Sequence, residues 1–238
     1  MTPIEHKCAR CGRTFEDDEE CLIHNEDHTR CLCDDCAPTA EARKVLIIGT
    51  GRCGTHYLSR ILRRIGCEVP HERIGHDGGI GWFFATDTPW NDHDRSRFAF
   101  GQIWTVTREP LATISSQHTH VRKMWKFIGR VQNWTFPKNK TLRAAWHYVK
   151  WNTLCLDQSD WHFRVEDIHR DSAVYREMRS RLGLRRRKCP ILPTDINTRK
   201  HRRSYKSVTL DDLRALGDAE LISALRDVSA RCGYVLND

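Results

Sequence analysis

The sequence predicts a three-layer α/β domain around a central parallel sheet, with a small Cys-rich module at its N-terminal end. Residues 44–48, Lys-Val-Leu-Ile-Ile, form a short apolar run typical of strands buried on both faces, and a glycine loop carries them into apolar residues at helical spacing. Residues 102–107 form a second strand-like run, which leads through Arg108 into a helix opened by Pro110. Charge and cysteine are also split along the chain. Residues 1–40 hold 4 Lys+Arg against 10 Asp+Glu and six of the eleven Cys, whereas the remainder holds 35 against 21. An acidic head, net −6, therefore precedes a basic body, net +14, and the expected units are a zinc-ribbon-like module over 1–40 and the α/β domain over 41–238.

Composition excludes several classes. With 39% hydrophobic residues, 9% aromatics and eight Trp, the 238-residue chain can bury a core, which argues against disorder. No apolar stretch approaches the ~20 residues that cross a bilayer, so no membrane partner is expected. The first residues run straight into Glu5, His6, Lys7 and Cys8 without a basic-then-apolar leader, so a cytoplasmic, reducing location is expected. There, clustered Cys read as metal ligands more readily than as disulfides.

In the head, Cys8 and Cys11 form one C-x-x-C pair ahead of Gly12, and Cys33 and Cys36 form a second after 21 intervening residues. Two such turns can complete a closed tetrahedral thiolate shell, which predicts a structural Zn²⁺ rather than a catalytic one. Cys21, His24, His28 and Cys31 lie between the pairs, and Cys21, His24 and Cys31 are alternative ligands. A segment of forty residues with few apolar side chains needs such a staple to fold. Its acidity argues against a nucleic-acid role.

The glycine loop reads Gly49-Thr50-Gly51-Arg52-Cys53-Gly54-Thr55, and Tyr57, Leu58, Ile61, Leu62 and Ile65 follow at helical spacing as far as Gly66. Strand, glycine loop and helix N-terminus together build a site for a phosphate-like anion. The nucleoside-triphosphatase pattern G-x-x-x-x-G-K-[ST] fails, because Thr55 stands where Lys is needed and His56 where the Mg²⁺-binding hydroxyl is needed. The dinucleotide pattern G-x-G-x-x-G is met by Gly49, Gly51 and Gly54, with Glu68 or Glu72 about 20 residues on, which keeps an NAD(P)-dependent oxidoreductase as an alternative. Arg52 within the loop would crowd a pyrophosphate but suits a donor with a terminal anion.

The run IIGTGRCGTHYL resembles the 5′-phosphosulfate loop of the sulfotransferase family, G-x-x-[RK]-[SC]-G-T-[TS]. That resemblance implies a three-layer P-loop sulfotransferase-like domain, bacterial-type in its acid–base residue. It also implies a 3′-phosphoadenosine 5′-phosphosulfate (PAPS) donor that becomes adenosine 3′,5′-bisphosphate, and no Mg²⁺. It assigns donor contacts to Gly51, Arg52, Cys53, Gly54, Thr55, His56 and Tyr57. It further implies a strand followed by Arg and, eight positions later, Ser, to hold the 3′-phosphate, and Arg108 and Ser116 stand at that spacing. Taken singly, Arg108 reads better as a helix-entry residue paired with Glu109 or a nearby acid, and Ser116 as an exposed hydroxyl; only their joint spacing after the glycine loop favours the donor role. Residues 142–157 resemble the family's long helix and residues 163–168 its strand-then-acid segment, where Glu166 and Asp167 are expected to cap a helix or pair with Arg.

For chemistry, the resemblance points to the segment 69–82, expected after a short second strand, as the source of a base. Glu72 is the first choice, with His71, His76 and Asp77 as alternatives, while Arg52 and His56 assist at the sulfuryl group. An ordering role for Glu72 beside Arg73 or Arg52 is its structural alternative. Trp82 is read either as an acceptor-site wall or as core. Acceptor-binding loops are expected around 82–90 and 118–136; a sugar, a small metabolite, a lipid or a tyrosine would serve as acceptor.

The stretch 181–207 is rich in Lys and Arg and contains two Pro, so it reads as loop. Relatives close over the donor with a basic loop here, which implies donor contacts from Arg199 and Lys200, with Arg203 beside them; residues 185–188 read as a solvated face. Thr209-Leu210-Asp211-Asp212 reads as a capping box that opens the last helical region. The alternative from another class is a zinc-containing nucleic-acid-binding protein with a degenerate nucleotide fold, which requires neither Arg52 in the loop nor the spacing of Arg108 and Ser116.

Overall fold

The computed structural model describes residues 43–90, 95, 98–120, 122–169, 172–184 and 205–237, together with four short strands in the head. In the head, β1 (Glu5–Lys7) pairs antiparallel with β2 (Thr14–Glu16), and β3 (Ile23–His24) pairs antiparallel with β4 (Cys31–Leu32). β1 also lies against β4. The pair Cys8 and Cys11 falls in sequence between β1 and β2, and Cys33 directly follows β4; these cysteines, with Cys36, lie outside the described residues. Among the described residues, no group of three or more His, Cys, Asp and Glu side chains is placed to hold a metal ion.

The body is α/β, as its sequence predicts. β5 (Val45–Ile48), β6 (Gly78–Ile80), β7 (Ile103–Thr107) and β8 (Trp161–Arg164) form one parallel sheet in the order β6-β5-β7-β8. All four β5 side chains are fully buried. Val45 and Ile47 face one core, together with Trp104, Val106 and residues of α1 (Thr55–Arg64) and α5 (Ala173–Arg181). Leu46 and Ile48 face the other, with Phe127 and Ile128 of α3 (Arg122–Gln132) and Trp151 of α4 (Lys140–Asp157). A third cluster joins α2 (Pro110–Gln117) and α4 to α6 (Leu210–Arg214) and α7 (Ala219–Arg231). Layers on both faces explain why β5 reads as uninterrupted apolar sequence.

The helix starts follow local chemistry. Glu109 caps α2 by accepting from the amides of Leu111 and Ala112, and Pro110 occupies the first helical position. Asn139 caps α4, Ser172 caps α5, and Thr209 with Asp212 forms the capping box of α6. The last helical region is two helices rather than one, divided where Gly217 takes a left-handed φ of 73° and Asp218 caps the new start.

Two expectations about organisation are corrected. The second parallel strand is Gly78–Ile80, so Glu72 precedes it instead of following it. Two glycines weaken a strand pattern, but a Cβ on Gly78 would collide with the Val45 carbonyl oxygen, and only glycine permits that approach at φ 151°. The stretch 118–136 is also not a loop throughout, because α3 occupies its middle with Phe127 and Ile128 buried. Among the described residues, no helix is long and apolar enough to cross a membrane.

Candidate functional site

The chain leaves β5 for β6 on one side and later enters β7 on the other, so the carboxyl end of β5 is a topological switch point, where open α/β sheets bind ligands. The glycine loop stands there. Gly54 ends it at φ 96° and starts α1 with no side-chain cap and no acid in the first turn, which leaves the positive end of the helix uncompensated by its own sequence. A cavity of about 320 Å³ opens at this edge. Gly51, Arg52, Gly54, Thr55, His56 and Tyr57 line it from the loop and α1, and His71, Glu72 and Trp82 from the β6 region. Arg108, Ser116, Thr119, His120 and Met124 complete the wall.

Arg52 is held from two directions. Its Nη2 donates to Thr119 Oγ1 at 2.9 Å, and Thr119 in turn donates to the Ser116 carbonyl oxygen at 2.7 Å. The Arg52 carbonyl accepts from Arg108 Nη1 at 3.3 Å. The two arginines, 56 residues apart in sequence, are thus neighbours across one wall. Three non-glycine residues among those described have positive φ, namely Arg52 (78°), Glu72 (56°) and Asn133 (48°). Two of the three line this cavity; backbone strain of this kind, roughly 1–3 kcal/mol per residue, persists where the surroundings enforce a side-chain direction.

His71 is kept neutral. His71 Nε2 lies 3.1 Å from Thr55 Oγ1, and its ring meets His56 edge-on with centroids 5.3 Å apart. Burial, reinforced by His56 and Arg52, holds His71 down to about 4, which makes it a weak base. The buried Nδ1 of His56 has no hydrogen-bond partner.

Beneath the loop lies a polar support that sequence reasoning missed. Gln117 is fully buried and donates through Nε2 to Thr50 Oγ1 at 3.1 Å and to the Gly51 carbonyl at 3.3 Å. His147 Nε2 lies 3.4 Å from the same Thr50 hydroxyl, and burial alone takes His147 down to about 3. The polar run Gln117-His118-Thr119-His120 immediately beyond Ser116 was the available signal.

Of the residues expected from sequence, Gly51, Arg52, Gly54, Thr55, His56, Tyr57, Glu72, Arg108 and Ser116 meet in this cavity. Cys53 does not line it: the side chain is buried in the core, its amide donates to the Thr50 carbonyl, and burial pushes the thiol up to about 12. Among the alternative bases, His71 lines the cavity, whereas Asp77 is engaged elsewhere, pairing with Lys44 at 2.8 Å and accepting from the Glu68 amide. His76 is largely exposed and faces Asp77 at 3.5 Å. Trp82 is both cavity wall and core, with 4% exposure. Glu166 accepts from the Glu109 amide and Tyr234 hydroxyl, and Asp167 pairs with Arg164, so both carboxylates serve structure. Arg199, Lys200, Arg203 and residues 185–188 lie outside the described residues.

No family model matches the chain, and no curated protein does. Among solved structures, mouse sulfotransferase SULT7A1 complexed with PAP is similar. The match has a TM-score of 0.37 and 11% sequence identity, and it covers 95% of this chain and 99% of that chain.

Proposed function

We propose that the chain is a sulfotransferase that moves a sulfuryl group from PAPS to a hydroxyl or amine of an acceptor. One observation carries this: Arg52, Arg108, Ser116, the glycine loop and Glu72 line a single cavity at the switch point. A donor with anions at both ends needs cations at both ends and a close backbone approach between them. Arg108 and Ser116 suit the 3′-phosphate, and the loop with Arg52, Thr55 and His56 suits the phosphosulfate. With neither a P-loop Lys nor a Mg²⁺-binding hydroxyl at positions 55 and 56, the loop does not suit triphosphate chemistry.

In the reaction, the bond between sulfur and the bridging oxygen breaks as a new one forms to the acceptor heteroatom. Glu72 takes the acceptor's proton, Arg52 offsets charge on the sulfuryl and bridging oxygens, and adenosine 3′,5′-bisphosphate leaves. Glu72 is favoured over His71 because burial lowers the basicity of His71 well below its ordinary value and its Nε2 already lies 3.1 Å from Thr55 Oγ1. Arg199 and Lys200 are proposed to close over the donor.

The head is proposed to bind one structural Zn²⁺ through Cys8, Cys11, Cys33 and Cys36. Its support is the donor set itself and the location of both pairs next to β1 and β4, strands that lie against each other. Metal analysis of the purified chain should find one zinc per chain, lost in Cys8→Ser.

The function is tested by thermal shift, since a ligand that binds only the folded state raises Tm. Adenosine 3′,5′-bisphosphate should stabilise the protein while NAD and an oligonucleotide do not. Stabilisation by NAD alone, or by the oligonucleotide alone, overturns the proposal.

A further inference from the structure

Next to the donor cavity lies a second cavity of about 230 Å³, lined by Gln117, His118, His120, Arg122, Trp125, Lys140 and Arg143. His120 lines both cavities, so they share a wall. Among the described residues, the lining holds three permanent cations and no carboxylate. Two helices begin here, α3 with Arg122 and α4 with Lys140 and Arg143 in its first turn, and neither has an acid in that turn. Cations at the positive end of a helix are unfavourably placed unless an anion stands between them.

Two further observations agree. Arg143 lies over the Trp125 ring, 4.8 Å from its centroid, and its buried Nε has no hydrogen-bond partner. His118, whose Nε2 lies 3.5 Å from Thr141 Oγ1, is pushed down by burial and then by Lys206, Lys140 and Arg143, with no acid opposing them. Positive charge with no carboxylate beside it among the described residues, an aromatic wall and a concave volume together describe a binding site for an oxyanion.

We propose that this cavity holds a sulfate, phosphate or carboxylate group carried by the acceptor, and that Arg143, Lys140 and Arg122 grip it. The inference rests on the sulfotransferase reading and narrows its acceptor to anionic molecules. It gives the body's positive charge a use beyond the donor.

The test is calorimetric titration of inorganic sulfate into the full chain saturated with adenosine 3′,5′-bisphosphate. Arg143→Gln and Lys140→Met should each weaken sulfate binding about tenfold, the loss expected when one charge-assisted contact is removed, while leaving the bisphosphate affinity within about twofold. Lys140 is exposed at the first position of its helix, so Lys140→Met reads the site even if Arg143→Gln folds poorly. Unchanged sulfate affinity in Lys140→Met overturns the proposal, and so does a parallel loss of bisphosphate affinity, which would make the cavity part of the donor site. If the wild-type chain binds no bisphosphate, the donor reading fails, while sulfate titration of the unliganded chain still decides whether the cavity takes an anion.

Discussion

Arg52 Nη2 donates to Thr119 Oγ1 at 2.9 Å, so the only cation inside the glycine loop is anchored to a residue just beyond α2. Because Thr119 also donates to the Ser116 carbonyl, one hydroxyl ties the loop to the helix that carries Ser116. Removing it in Thr119→Val leaves size and shape nearly unchanged but takes this hydrogen bond from the guanidinium. Hydrogen bonds to charged groups contribute about 1.5–3 kcal/mol, so affinity for adenosine 3′,5′-bisphosphate should fall about tenfold by calorimetry, with Tm almost unchanged. An unaltered affinity would show that Arg52 needs no anchor.

Gln117 supports the same loop from below, through Thr50 and Gly51. In Gln117→Met the Thr50 hydroxyl keeps His147, but the Gly51 carbonyl loses the contact that Gln117 gives it. Leaving a buried polar group unsatisfied costs about 1–3 kcal/mol, which should appear as a lower midpoint in urea with an unchanged slope. Weaker bisphosphate binding should accompany it, because the loop's backbone is displaced; a stability loss without that effect would make Gln117 structural only.

Gly78→Ala tests the least expected element of the sheet. A Cβ would collide with the Val45 carbonyl oxygen at a φ of 151°, so β6 cannot pair with β5 unless the backbone moves. The cost should be about 3 kcal/mol or more, read as loss of soluble protein or a large drop in Tm.

That strand also marks where the sequence was legible. β5, α1, β7 and α2 are written in patterns with local causes: apolar runs, helical spacing, Pro110 at a first turn. Arg108 and Ser116 could be placed because their spacing survives on one strand and one helix. Gly78-Gly79 carries no such pattern, since its strand identity depends on how close Val45 lies, a tertiary fact. Gln117 and His147 were invisible for the same reason: 30 residues apart in sequence, they meet only under Thr50. The Cys53 side chain turns into the core and away from the cavity, because a loop position fixes the backbone but not which way a small side chain points.

The buried histidines set an acid limit on stability. Both have folded values below the ordinary 6.5, at about 4 for His71 and about 3 for His147, so the unfolded chain binds more protons between these values and 6.5. Stability is therefore complete above about pH 7 and falls as the pH drops through 6.5, continuing to about 3. At pH 5, His147 alone should cost about 2 kcal/mol, and His71 adds in the same direction. Urea denaturation at pH 7.5 and 5 should show the loss, and His147→Gln should flatten the dependence. An equally steep dependence in that variant would place the titrating groups elsewhere.

Glu72→Gln separates chemistry from binding. Glutamine keeps the size and a hydrogen-bonding oxygen but cannot take a proton, and the backbone at φ 56° tolerates either residue equally. General-base catalysis contributes about 10²–10⁴-fold, so turnover of radiolabelled PAPS with an identified acceptor should fall by that factor while bisphosphate affinity stays the same. Normal turnover in Glu72→Gln would remove Glu72 from the chemistry and leave His71, the other titratable neighbour on that wall, to be tested as His71→Gln.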